Sequence, residues 1–149
     1  MAGTLKVKIQ EDIILDNHDY SSKKVLEISS IDQIYKRIIT CPASQTTYIA
    51  LFNSSVYGGA GAIDIEDSKY IRITNLDDTN SIELAIVGAA TLYQVKLDAG
   101  QSHILGSADD LMLAQASTTP SFGTMADIGS IRVNPGGNAV NVEIFIASV

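Results

Sequence analysis

The sequence predicts an all-β protein, an antiparallel β-sandwich of the jelly-roll kind. Three observations carry this. Apolar side chains return at every second position along most of the chain, the period of strands whose two faces differ. Clusters of Asn, Asp, Gly, Ser and Pro interrupt these runs at roughly 8–12-residue intervals, the spacing of short strands in sandwiches and barrels. No long helical face competes with them, and about ten strands suffice for two Greek keys.

The elements follow in order. From Thr4 to Leu15, Leu5, Val7, Ile9, Ile13 and Leu15 share one parity while Lys6, Lys8 and Gln10 hold the other. This is a strand with one wet face. Asp16-Asn17-His18-Asp19 is a turn, because Asx side chains bond their own backbone, and Lys23 to Ser29 is the next strand. Ile31, Ile34, Tyr35 and Ile38 would also fit a helical face. That run is β-branched and ends at Cys41-Pro42, where a residue before proline prefers extended geometry, so it reads as a strand. Thr46 to Asn53 is rich in β-formers. Tyr57 to Ala62 is a small-residue loop, and Ile63 to Asp67 a short strand.

Lys69 to Asn75 and Ser81 to Val87 read as a pair joined by a hairpin connection over Leu76 to Asn80. Thr91 to Asp98 alternates through Tyr93, Val95 and Leu97, Ala99-Gly100 turns, and Ser102 to Leu105 returns. Ser107 with Asp109 and Asp110 suits the cap of a short helix over Leu111 to Ala116, and equally an edge strand. Ala116 to Gly123 reads as a surface loop. Ile128 to Val133 and Ala139 to Ala147, around Asn134-Pro135-Gly136-Gly137-Asn138, read as a closing hairpin. In its second strand Val140, Val142, Ile144 and Ile146 face one way, and Phe145 shares the outward parity with Asn141 and Glu143.

The length, 149 residues, fits one domain spanning 1–149, long enough to bury roughly two-thirds of its unfolded surface. Charged residues make up 18% against a usual share of about 25%. Neutral polar groups fill the gap, and these are easier to desolvate in an assembly than ions. The net charge of −7 excludes a general nucleic-acid binder, which needs a basic footprint. No apolar stretch approaches the roughly 20 residues of a membrane span, and no signal peptide is visible at the start. The expectation is a protein made in a cytoplasm, with no membrane partner.

The inventory for chemistry is thin. One cysteine, Cys41, allows neither an intrachain disulfide nor a cysteine-based zinc site, and a buried inert thiol is its default state. His18 and His103 are the only histidines, too few for a cupin-type metal cluster. Asp64-Ile65-Glu66-Asp67 and Asp77-Asp78 offer carboxylates to Ca²⁺, but without EF-hand spacing; turn-forming acids are the simpler reading. A carboxylate pair for glycoside hydrolysis is conceivable, yet no tryptophan provides a sugar platform. Gly58-Gly59-Ala60-Gly61 lacks the lysine and following helix of a phosphate loop. No catalytic residue, cofactor site or metal site is therefore expected. Tyr48, Tyr57, Phe122 and Phe145 stand out instead. They suit either a doubly buried core or the aromatic anchors of a subunit interface.

Three segments carry a resemblance: Lys69-Tyr70-Ile71-Arg72-Ile73-Thr74-Asn75-Leu76-Asp77-Asp78-Thr79-Asn80, Val95-Lys96-Leu97-Asp98-Ala99-Gly100-Gln101-Ser102, and the closing strand Val142 to Ser148. They cover roughly the second half of the chain and carry no catalytic motif. They are similar to small β-proteins of tailed bacteriophages, especially of marine and cyanobacterial viruses. The resemblance implies a structural part of the virion: a capsid decoration (cement) protein that binds the major capsid protein and its own copies, as a trimer. A tail or fibre component that binds a receptor or carbohydrate through loops 57–62 and 116–123 is the alternative it allows.

Overall fold

A computed structural model describes residues 1–54, 63–89, 91–114, 119–120 and 122–149. It is an antiparallel β-sandwich with a protruding hairpin. The strands are β1 (Gly3–Glu11), β2 (Ile14–Leu15), β3 (His18–Asp19), β4 (Ser22–Ile31), β5 (Gln33–Cys41), β6 (Thr47–Asn53) and β7 (Ile63–Asp64). They continue with β8 (Ser68–Asn75), β9 (Ile82–Gly88), β10 (Leu92–Leu97), β11 (Ser102–Leu105), β12 (Ile128–Asn134) and β13 (Val140–Ser148). One sheet has the order β10-β9-β12-β6-β7 and the other β11-β8-β13-β5. All pairings in them are antiparallel except that β7 lies parallel to β6.

The core forms where the two inner faces meet. Ile82, Leu84, Ile86, Ile131 and Val133 of one sheet and Ile71, Ile73, Val140, Val142, Ile144 and Ile146 of the other are almost wholly buried. Each such side chain contributes about 1.5–3 kcal/mol relative to exposure, against the entropy of ordering it. Strand β6 departs from strict alternation through a bulge: Arg132 pairs with Tyr48 and Ile131 with Ala50. The extra residue lets Ile49 and Ala50 both turn inward, so Tyr48 and Leu51 both face solvent.

The two hairpins expected from local pattern are arches. β8 and β9 lie in opposite sheets, and so do β12 and β13. Alternating apolar residues satisfy a hairpin and an arch equally, because only the choice of partner strand differs. Here β8 pairs with β11 and β13, and β12 with β9 and β6. A true hairpin joins β9 to β10.

A buried side chain holds the arches. Asn75, fully buried, donates its amide hydrogens to the carbonyls of Asn80 at 2.8 Å, Leu97 at 3.2 Å and Asp98 at 3.3 Å. Its carbonyl accepts from the N–H of Asp77 at 3.0 Å. It thus ties the β8–β9 crossing to the β10–β11 crossing. Asp77 in turn accepts from the N–H groups of Asn80 and Thr79, and these bonds hold its carboxyl below the usual range. The Asp77-Asp78 pair therefore serves a turn.

The region after β11 contains no helix among its described residues. Asp109-Asp110 forms a turn, and Met112 makes an isolated antiparallel bridge to Ala126. The helix considered over Leu111 to Ala116 is absent from 111–114, and 115–116 lie outside the described residues. The bridge to Ala126 takes up the N–H and C=O of Met112, which a helix would have used internally.

Asn75→Ala removes donors from three carbonyls in the arches. It should lower unfolding free energy by about 2–4 kcal/mol, read as a reduced urea midpoint, and Asn75→Asp should be no better because a carboxylate would face those carbonyls.

Candidate assembly surface

The amino-terminal segment forms a long ribbon in which β1 pairs with β4 from Gly3↔Ile31 to Glu11↔Ser22. At its tip β2 and β3 pair through a two-residue turn, with Asp16 at φ 51° and Asn17 at φ 61°. Positive φ at both central residues matches the right-handed twist of a tight hairpin, and Asx residues tolerate it. The single strand expected over Thr4 to Leu15 is therefore two strands with a break at Asp12-Ile13. The Asp16–Asp19 turn stands where expected.

Only the base of this ribbon is covered. Leu5, Val7 and Ile28 pack with Ile31, Tyr70, Phe145, Ala147 and Val149 in a second apolar cluster on the outer face of the β11-β8-β13-β5 sheet. Beyond it the expected buried face is exposed: Ile9, Ile13, Leu15 and Leu26 meet solvent, as do Ile14, Tyr20 and Val25 on other positions. Ile14 is 75% exposed. The three consecutive apolar residues Ile13-Ile14-Leu15 and the adjacent Val25-Leu26 place apolar groups on both faces, a signal that one sheet cannot cover this ribbon. A two-stranded ribbon is marginal in water by itself, and here it exposes its apolar groups where the sandwich no longer supports it.

Edge strand β5 adds to this surface. β13 pairs with it along its full length, and no strand lies on its other side among the described residues. Its outward residues Ile34 and Ile38 are 53% and 63% exposed. A long edge bearing apolar groups is a template for another chain.

The four expected aromatic anchors separate. Tyr48 is exposed on the outer face of the β10-β9-β12-β6-β7 sheet, with the Arg132 guanidinium stacked over its ring at 4.4 Å. Phe122 is 84% exposed, at φ 35°. Tyr57 lies outside the described residues, as does the loop 57–62 and much of 116–123. Phe145 is half-buried rather than free. Its ring meets Tyr70 edge-on at 6.1 Å, Arg72 sits 5.9 Å from its centroid, and the base of the ribbon covers it. The outward parity is as expected, but the occupant comes from the same chain. The sequence alone does not show it, because the ribbon lies more than a hundred residues away.

Beside Phe145, Glu143 forms an ion pair with Arg72 and a looser one with Lys36 at 3.6 Å. The hydrogen bond from Arg72 is the main reason its carboxyl lies below the usual range.

Titratable groups elsewhere serve structure. His18 is exposed in β3 at the ribbon tip, with its ring edge-on to Tyr20. His103 is half-buried at the open side of the sandwich, where its Nε2 lies 3.1 Å from the Tyr93 hydroxyl and joins edge strands β10 and β11 of the two sheets. Burial lowers the His103 pKa and raises that of Tyr93. Cys41 is fully buried and its thiol is pushed up by that burial, away from the reactive thiolate.

One carboxylate group was missed by spacing. Asp109, Asp110 and Asp127 bring oxygens within 4.8 Å of one another, all exposed. The Asp110 N–H donates to Asp127 at 3.0 Å. Asp109 is pushed up, first by desolvation, then by its hydrogen bond to Asp127 and the charges of Asp110, Asp127 and Glu66. A hard cation wants six to eight oxygens, and these three residues offer exposed carboxylates. Asp110 and Asp127 are distant in sequence, and the Met112–Ala126 bridge with the Ile128 N–H bond to the Ala108 carbonyl brings them together.

No family model matches the sequence, and no curated protein matches it significantly. A solved structure from Bacillus, described with endospore appendages that form a novel family of disulfide-linked pili, is 9% identical. The match covers 78% of this chain and 88% of that one at a TM-score of 0.41, too low to carry an argument about function.

Two predictions follow from this geometry. Phe145→Ala should destabilise the isolated chain by about 1–2 kcal/mol, because the ring staples the ribbon to the sheet, with amide exchange rising first in residues 3–31. For His103, the folded state binds its proton less readily than the unfolded chain. Stability should therefore fall as pH drops through the unfolded value of 6.5 and level off below the lowered folded pKa. Urea midpoints between about pH 7.5 and pH 5 should fall more steeply for the wild type than for His103→Phe.

Proposed function

We propose that this protein is a non-enzymatic structural subunit that works by binding its neighbours in an assembly. The carrying observation is where much of the exposed apolar surface lies: on a ribbon that leaves the sandwich and along β5, an edge strand among the described residues. Catalysis would need an acid, base or nucleophile held in a cleft. The histidine, the cysteine and the turn-forming acid with clearly shifted pKa values have structural partners or are buried.

The assembly we propose is a bacteriophage capsid, with this chain as a decoration protein bound to the major capsid protein and to its own copies as a trimer. The resemblance of Lys69 to Asn80, Val95 to Ser102 and Val142 to Ser148 to phage β-proteins supports this form. So does the strand order. From β5 onward the eight long strands interleave as β5-β13-β8-β11 and β6-β12-β9-β10, which we read as a jelly roll. Repeated weak contacts under symmetry would stabilise the shell by avidity without any tight single interface. The protein would then reside in the virion after synthesis in the host cytoplasm.

Particles assembled without this chain should come apart at lower temperature and at lower salt stress than complete ones, and adding the purified protein back should restore them. Equal robustness of depleted and complete particles refutes the cement role.

A further inference from the structure

We propose that the tip of the amino-terminal ribbon docks on the free edge of strand β5 in a second copy of this chain. This deepens the assembly reading above and rests on it.

The two surfaces match in three ways. Both are apolar: Ile13, Ile14, Leu15 and Tyr20 at the tip, Ile34 and Ile38 on β5, all exposed. They are opposite in charge. The tip segment from Gln10 to Ser21 carries Glu11, Asp12, Asp16 and Asp19, with His18 but no lysine or arginine. The side chains of Glu11, Asp12 and Asp19 accept hydrogen bonds from Ser22, Gln10 and Ser21, and none of the four has an ion-pair partner among the described residues. Strand β5 carries Lys36 and Arg37 and no acidic residue. Lys36 is 58% exposed and only loosely paired with Glu143 at 3.6 Å, and Arg37 lies against Tyr35 at 5.2 Å. Finally, the backbone groups of β5 that point away from β13 have no strand partner among the described residues, and an added strand would satisfy them.

The occupant is a second copy because the ribbon leans the wrong way for its own edge. β1 borders a crevice lined by Phe145 of β13, Tyr70 and Arg72 of β8, and Ser102 and Ile104 of β11. In the sheet order β11-β8-β13-β5 this is the side opposite the free edge. A ribbon built on a strand of nine residues reaches roughly 30 Å, so each protomer presents a tip at one side and an acceptor edge at the other. Such a head-to-tail contact closes into a ring or continues as a filament.

The test uses the purified full chain in analytical ultracentrifugation with Ile14→Glu at the tip and Ile38→Glu on β5. Both positions are exposed, so the monomer should keep its melting temperature. Each change should weaken self-association about 30-fold or more. Arg37→Glu should also weaken it, and Asp16→Lys in the same chain should restore it. As a check independent of these charges, mixing Ile14→Cys and Ile38→Cys chains under mild oxidation should give a mixed disulfide dimer. Oligomers that persist unchanged in both glutamate variants, without the mixed dimer, overturn this docking and leave self-assembly standing. A wild type that stays monomeric and gives no mixed dimer overturns both.

Discussion

The side-chain amide of Asn75 holds together what no ladder does. A sandwich whose chain keeps crossing from one sheet to the other must turn at its ends without strand pairing. The carbonyls in those turns are then left near a buried rim. Asn75 supplies both donors and an acceptor from one fully buried residue. Its contacts reach two separate crossings, and with them the placement of β8 beside β11 and of β9 beside β10. The isoleucine-rich interior says only that two faces meet. The arches decide which strands carry those faces, and a buried polar group without its partners would cost more than one hydrogen bond is worth.

Much of this was legible from residue order. The period of two marks nearly every strand, including β5, where β-branching and Pro42 outweighed a helical spacing. The Asx-rich tip turn, the turn at Ala99-Gly100 and the inert buried Cys41 were equally visible. Partner choice was not. Lys69 to Asn75 with Ser81 to Val87, and Ile128 to Val133 with Ala139 to Ala147, looked like hairpins because a polar connection between alternating runs is compatible with either topology. The bulge at Ile49-Ala50 was hidden too, since it reads as an apolar run rather than a change of face. The β5 edge and the aromatic Tyr48 show how far the site was readable: Tyr48 suited a buried core and an interface equally, nothing in the run Ile31 to Thr40 marked Ile34 or Ile38 as exposed, and only topology distinguishes an edge from an interior strand. Phe145 shows the limit, since its cover comes from the far end of the chain.

The ribbon and the sandwich differ in how they are stabilised. The sandwich has two apolar faces that satisfy each other, so its surface can be poor in charge without cost to its own fold. The ribbon has ladder hydrogen bonds, a short anchored base and exposed ion pairs such as Lys6 with Glu27 at 2.8 Å, which contribute little in water. Its outer half has therefore lower local stability than the body, and it belongs to the part of a structure that gains most from being covered. A segment that pays ordering entropy without burying its apolar groups is consistent with selection for contact rather than for the fold of the monomer.

The central position of β13 has a consequence for how the protein is made. Strand β13 follows the other twelve described strands in sequence, yet it lies between β8 and β5 and pairs with both. The four-stranded sheet cannot close until Ser148 has been synthesised. Until then β5 and β8 each present an unpaired side. The ribbon and the β9–β10 hairpin, whose partners are close in sequence, can form during translation, whereas the sandwich must wait for contacts of long sequence separation. Slow, late closure leaves the β13-facing sides of β5 and β8 open for longest, and these transient edges are the ones most exposed to misassembly.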